Sequence, residues 1–283
     1  MKFPSFSYCA PGSLQEAIGI LADDPEARPV AGGQSLLPLL AFRLVYPSKL
    51  VDLGKIGELA LIEKGSSSLS IGAMVTHVRN LTDPVVRQCF PIIPQVVAHV
   101  AHQAVRSRGT LGGSLSHADC AAEMPVLMCA LNAVLHIRGS DQIRSIPAVE
   151  FLHGHYMTDL APGEILVRIE IPFSEYHWAF EEVARRHGDF ALAMSLAGLR
   201  MDAGKCVAAR LVIGAAGEVA VISSAAAQFL LGKAVDEDVA AAAAKLATET
   251  LAARSDIHGS EELRRHLAET TMKRAILRAA KGE

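Results

Sequence analysis

Paired cysteines, an excess of positive charge, long apolar runs and the common nucleotide-binding glycine spacings are all missing from this sequence, and each absence closes off a class of function. The five cysteines, Cys9, Cys89, Cys120, Cys129 and Cys206, are scattered without a C-x-x-C pair. That distribution fits reduced thiols and argues against a disulfide or zinc framework, so no metal site is expected in the chain. Lys and Arg total 27 against 30 Asp and Glu, a formal charge of -3, which offers no basic field to a nucleic acid or an anionic membrane. No continuous apolar run reaches the roughly 18 residues needed to span a bilayer, and "MKFPSFSYCAPGSLQEA" lacks the apolar core and cleavage site of a signal peptide. The expected location is therefore cytoplasmic, with no membrane span. Neither G-x-G-x-x-G nor G-x-x-x-x-G-K-[ST] occurs, which removes the dinucleotide-fold and P-loop readings. No G-x-S-x-G elbow or Cys-His constellation marks a hydrolase, so no catalytic residue is assigned and the chemistry must come from a cofactor.

What is present is a chain of 283 residues, 51% hydrophobic, long enough to bury a large core and to divide into two domains. In the opening third, "SLQEAIGILADDP" has helical spacing behind a Ser13 cap, "ARPVAGG" is a short strand running into glycines, and "SLLPLLAFRLV" predicts a second helix with Ser35 as its cap. "KLVDLG", "LALIEKG" and "SLSIGAMV" read as strands of one sheet. The stretch from Asp83 to Ala104 predicts helices broken by Pro91 and Pro94. "GEILVRIEIP" alternates as an amphipathic strand ending at Pro172, after which the composition shifts. "FALAMSLAGLRM" and "KCVAARLVIGAAG" predict a strand hairpin, and two helices follow, roughly Asp236 to Ala253 and Glu261 to Ala280. The domain boundary is placed near Phe173 to Tyr176.

Two glycine turns carry the chemical signal. In "AGGQS", Gly32 and Gly33 end a strand, and the amides of Gly33, Gln34 and Ser35 can face an anion at a helix N-terminus; glycine allows both the close approach and the positive φ of such a nest. "TLGGS" repeats the pattern, with the Thr110 and Ser114 hydroxyls flanking Gly112 and Gly113. Two such loops can grip one extended ligand, although a Gly-Gly turn is also ordinary structural punctuation. In "SHADCAAEMP", Asp119 and Glu123 can accept hydrogen bonds from sugar or ribityl hydroxyls, or serve as a capping Asp and a solvated Glu. Among the eleven histidines, His99 and His102 lack a third ligand at a readable spacing, and surface or interface positions account for them and for His153 and His155 without a metal.

"AGGQSLLPLL" together with "TLGGSLSHADCAAEMP" resembles the FAD-binding medium subunit of molybdenum hydroxylases, the family that includes the flavoprotein subunits of carbon monoxide dehydrogenase and xanthine dehydrogenase-type enzymes. "GEILVRIEIP", "ARRHGDFALA" and "LRRHLAETTMKRAI" extend the resemblance over the whole chain in the family's order. It implies an α+β fold: a two-subdomain FAD-binding domain of the vanillyl-alcohol oxidase-like type over residues 1–175, with subdomains of about 1–55 and 56–175, then a C-terminal α+β domain over 176–283 with a three-stranded antiparallel sheet and helices. It also implies that Ala31, Gly32, Gly33, Gln34 and Ser35, with Thr110, Leu111, Gly112, Gly113 and Ser114, bind the FAD diphosphate. Glu123 would contact the cofactor's polar chain and Leu160 would pack on it. Phe190 would cover the isoalloxazine ring, although its alternating surroundings equally allow an inward-facing core residue.

Three positions depart from the family pattern. Gln34 replaces a histidine, Cys120 stands where proline is usual, and Glu181 stands where some relatives carry a cofactor-contacting lysine, so that any positive charge near the flavin is expected from Arg185 or Arg186. The implied role is electron transfer: a small subunit with 2Fe-2S clusters delivers electrons that pass through FAD to an external acceptor, while a large molybdopterin-binding subunit hydroxylates the substrate. A dimer of heterotrimers is the implied assembly. A self-contained FAD oxidoreductase of related fold is the alternative, and a scaffold that has lost its cofactor a third reading.

Overall fold

The computed structural model describes residues 2–140 and 143–282. Its first unit is a small parallel sheet in the order Ser7–Cys9, Lys49–Asp52, Arg28–Val30. Parallel pairing requires crossovers, and the helix Leu14–Asp23 supplies one, its N-terminus capped by the Ser13 side chain, which accepts from the Glu16 amide. Its apolar stripe of Ala17, Ile18 and Leu21 packs with Val51, Leu53 and Ile56.

The second unit is a five-stranded antiparallel sheet in the order Ile62–Lys64, Ser68–Gly72, Ile165–Pro172, Val134–Arg138, Ile143–Pro147. Its central strand is the last of the five in sequence and pairs on both sides. Helices that include Ile92–Val97, Leu111–His117 and Glu123–Ala130 contribute to the core beside this sheet. Pro91 separates the helix Pro84–Cys89 from Ile92–Val97, as its position predicts, but Pro94 breaks nothing. It lies in the first turn, where a missing N–H has no intrahelical acceptor to lose.

The third unit is an antiparallel sheet in the order His177–Ala184, Ala191–Asp202, Lys205–Gly214, Val221–Ile222, associated with the helices Glu237–Thr248 and Glu261–Lys281. The expected three-stranded sheet is thus corrected to four strands. The fourth is a two-residue strand bonded to Val212 and Ile213, too short to carry a period-2 signature. The first of the two helices ends at Thr248 instead of continuing to Ala253; beyond it, the Arg254 amide donates to the Ala216 carbonyl, drawing the chain back to the sheet. Alanines dominate the interface, among them Ala193, Ala197, Ala243, Ala268 and Ala275, all fully buried.

The main core crosses from the second unit into the third. Val126 and Leu127 share one cluster with Phe180, Met194, Leu196 and Val212, and Arg210 donates to the carbonyls of Ala130 (2.8 Å) and Cys129 (2.9 Å). Among the described residues, no helix is long and apolar enough to cross a membrane.

Candidate functional site

The two glycine turns, distant in sequence, meet. A Cβ built on Gly32 would lie 2.0 Å from the Arg108 carbonyl oxygen, and one on Gly113 would lie 3.5 Å from the Ala31 side chain. Only glycine allows the first loop to lie this close to the backbone that leads into the second.

The loops are not chemically equivalent. In the first, Gly33 adopts φ 71°, the Gln34 side-chain amide donates to the Gly32 carbonyl at 3.0 Å, and the helix Leu36–Ala41 follows. Among the described residues, the amides of Gly32, Gly33, Gln34 and Ser35 meet no acceptor. Ser35 does not cap the helix through its side chain, contrary to expectation: its φ -103° and ψ -45° are already helical, whereas a side-chain cap needs extended backbone at that position.

In the second loop the amides are already used. Those of Leu111 and Gly112 donate to the Val75 and Ala73 carbonyls, that of Ser114 to the Thr110 carbonyl, and that of Gly113 to Thr110 Oγ1 at 3.0 Å. The pattern expected to be repeated twice therefore occurs once. Here the glycines serve proximity: a Cβ on Gly112 would come within 2.4 Å of the Ala73 side chain.

Both loops open onto a cavity of about 780 Å³. Every residue named from the sequence as binding or packing on the cofactor lines it except Leu111, which is fully buried in the core beneath. Leu160 belongs to the wall formed by Leu160–Leu166. Phe190 stands just before the strand Ala191–Asp202 and is 63% exposed. That exposure rules out the core-residue reading.

Glu123 begins the helix Glu123–Ala130 and is only 4% exposed, so it is not a solvated glutamate. Burial, reinforced by the charge of Glu182, pushes its carboxyl up to about 8. Behind it, His99 Nδ1 lies 3.6 Å from Glu182 Oε1, and Glu182 holds the imidazole above its usual range against the opposing effect of burial. His99 and His102 both lie beyond the end of the helix Ile92–Val97.

Several cavity residues carried no separable signal in the sequence. His77 lines the wall with Nδ1 buried and unpartnered, and burial, followed by the charge of Arg106, lowers its imidazole to about 4. Thr76 caps the helix His77–Thr82, so "THV" reads simply as a helix start. His117 also lines the cavity, beside Asp119, which the sequence does single out with Glu123. Ligating atoms of Asp119, Cys120 and His155 lie within 4.8 Å of one another, but Arg254 Nη1 sits 2.9 Å from Cys120 Sγ, and this guanidinium already brings positive charge to the cluster. Glu181 pairs with Arg278 at 2.7 Å. Arg185 donates to the His258 carbonyl at 3.5 Å, and neither it nor Arg186 lines the cavity, so the expected source of positive charge is not found there. Arg28 does line it, with its guanidinium held by the Pro25 and Ala27 carbonyls.

The family description "FAD binding domain in molybdopterin dehydrogenase" matches residues 4–174, and "CO dehydrogenase flavoprotein C-terminal domain" matches residues 178–279. A chain in the crystal structure of quinoline 2-oxidoreductase from Pseudomonas putida 86 superposes with a TM-score of 0.99 at 61% identity, covering 100% of this chain and 99% of that one. The 6-hydroxypseudooxynicotine dehydrogenase complex subunit alpha of Paenarthrobacter nicotinovorans is 37% identical, over 99% of this chain and 96% of its own. The carbon monoxide dehydrogenase medium chain of Afipia carboxidovorans is 34% identical, over 97% and 96% respectively.

Proposed function

From a chain that belongs to the family of FAD-binding medium subunits of molybdenum hydroxylases, we propose an electron-transfer role: electrons arrive from the 2Fe-2S clusters of a small partner subunit, pass through FAD, and leave to an external acceptor. A large molybdopterin-binding partner performs the hydroxylation, and the assembly is a cytoplasmic dimer of heterotrimers. The likeness to quinoline 2-oxidoreductase favours an N-heteroaromatic substrate for that assembly. FAD supplies the ability to accept electrons singly and surrender them in pairs.

The observation that carries this reading is the cavity itself: four unpartnered amides in succession on one wall, at a helix start, beside a second glycine turn that allows close approach. Such a donor set fits a diphosphate. Ala31 to Ser35 hold it through backbone N–H groups, while Gly112 and Gly113 keep the adjoining turn free of side chains and Thr110 and Ser114 flank them. Glu123, protonated at neutral pH, is both donor and acceptor for the hydroxyls of the cofactor's chain. Leu160 and Phe190 flank the isoalloxazine ring. Residues 1–55 and 56–175 form the two subdomains of a vanillyl-alcohol oxidase-like FAD domain, and 176–283 the C-terminal domain that completes the wall at Phe190.

The reading is tested by composition and by activity. The purified assembly is expected to hold FAD, iron, labile sulfide and molybdenum in three kinds of chain, with this chain alone inactive in substrate oxidation. Full turnover by the isolated, FAD-loaded chain would instead establish a self-contained flavoenzyme.

A further inference from the structure

The segment from Asp159 to Glu164, of which Leu160 to Glu164 line the cavity, contains Pro162 and Gly163, and within that span a single backbone bond, Glu164 amide to Ala161 carbonyl, ties it to itself. Its first residue is tied outward by the Asp159 amide, which donates to the Phe151 carbonyl at 3.0 Å, and one side chain outside the cavity grips both of its ends. Arg144, on the edge strand Ile143–Pro147, donates from Nε to Glu164 Oε1 at 2.9 Å and from Nη2 to Glu164 Oε2 at 2.7 Å. It also donates to the Asp159 carboxylate and to the Asp159 carbonyl. Glu164 Oε2 in turn accepts from the Ala161 amide at 2.8 Å. Both ends of the segment are therefore fixed to one guanidinium, and Leu160 to Glu164 all line the cavity while Arg144 does not. On the far side, Gly163 (φ 82°) rests against the helix Leu14–Asp23, where an added Cβ would lie 3.4 Å from Ala22 Cα.

We propose that Arg144 is a positioning residue for the cofactor: through Asp159 and Glu164 it sets the place of Leu160 and of the whole wall against bound FAD. The assignment rests on the reading of the cavity as the FAD site. A planar fork that engages two carboxylates and a carbonyl at once has no equivalent in lysine, whose single ammonium cannot reproduce the bidentate geometry.

The test uses the assembled, FAD-loaded enzyme carrying Arg144→Ala, Arg144→Lys or Asp159→Ala, with Gly113→Val as a reference. In folded variants, FAD affinity is expected to fall about tenfold or more, because removing a support from outside a site still displaces the groups within it. The visible absorption of the flavin that remains bound is expected to shift as the Leu160 wall loosens, a signature that general destabilisation does not produce. Should Arg144→Ala fail to fold, Arg144→Lys and Asp159→Ala decide, the latter leaving Glu164 paired. Wild-type affinity together with an unaltered flavin spectrum in the folded variants overturns the assignment. If Gly113→Val loses FAD in that case, the cavity reading stands and only the role of Arg144 falls; if Gly113→Val also keeps it, the cavity reading fails as well.

Discussion

At the scale of single residues, the sequence displays the glycines and hides the carboxyl. The doubled glycines are legible as turns, and the close approaches they allow are not: Gly32 is required where its loop meets the backbone of Arg108 and Gly109, and Gly112 where the second turn meets Ala73. Glu123 is different: between two alanines and a methionine nothing announces the burial that chiefly raises its carboxyl, and the charge that adds to it belongs to Glu182, far along the chain. The groups whose charges act on Glu123 are Glu182, His99 and Asp119. Its folded-state value, about 8, lies above its ordinary value of 4.5. Below pH 4.5 both folded and unfolded chains carry the proton and nothing is lost. As pH rises from there toward 8 the unfolded chain releases its proton first, and stability declines. Glu123→Gln keeps the shape and the hydrogen-bonding groups while removing that proton. Without FAD, it is expected to be more stable than wild type near pH 8 by on the order of a few kcal/mol, and to converge with it near pH 4. Urea unfolding of the two proteins across pH 4 to 9 measures this. His77, with its imidazole lowered to about 4, acts in the opposite sense, losing stability as pH falls through the range from 6.5 toward 4. It is unchanged in both proteins and cancels in the comparison.

At the scale of elements, strong periodicity is readable and pairing is not. "GEILVRIEIP" alternates, and the strand Ile165–Pro172 follows it; that it becomes the centre of a five-stranded sheet depends on partners distant in sequence. The strand Val221–Ile222 has no pattern to read. The helix Glu123–Ala130 has no polar face to identify, because all of its residues are buried. Its N-terminal residue stands in the cavity wall and its C-terminal carbonyls are capped by Arg210 from another unit, so the element is defined by its surroundings at both ends. Removing the cap leaves the Ala130 carbonyl without a donor among the described residues and the Cys129 carbonyl with the Asn132 amide at 3.4 Å, and hydrogen bonds to a charged group contribute roughly 1.5–3 kcal/mol each. Arg210→Ala is expected to lower stability by about 2–4 kcal/mol after partial compensation by water, with a reduced midpoint in chemical unfolding. A loss below about 0.5 kcal/mol would show that this cap contributes little.

At the scale of the molecule, two family descriptions meet near residue 176, yet the principal core does not stop there. Phe180, Met194, Leu196 and Val212 pack with Val126 and Leu127 in one cluster, and Arg210 ties the same two regions by hydrogen bonds. Composition suggests a boundary because the linker region changes character, but no local pattern records which apolar faces will share an interior. A common core is expected to make the chain unfold as a single cooperative unit despite its two named parts. The chain contains one tryptophan, Trp178, on the strand His177–Ala184 and against Gly198 of the neighbouring strand. It reports on the C-terminal sheet, whereas the two loops proposed to hold the diphosphate lie wholly in the first half. FAD at a hundred times its dissociation constant stabilises the state that binds it by about 2.7 kcal/mol. If the halves unfold together, Trp178 registers that full increment: its emission transition in denaturant shifts to higher concentration on adding FAD and coincides with the loss of helical circular dichroism. A tryptophan transition that stays in place while the helical signal moves would mean that the shared cluster does not couple the sheet to the cofactor site.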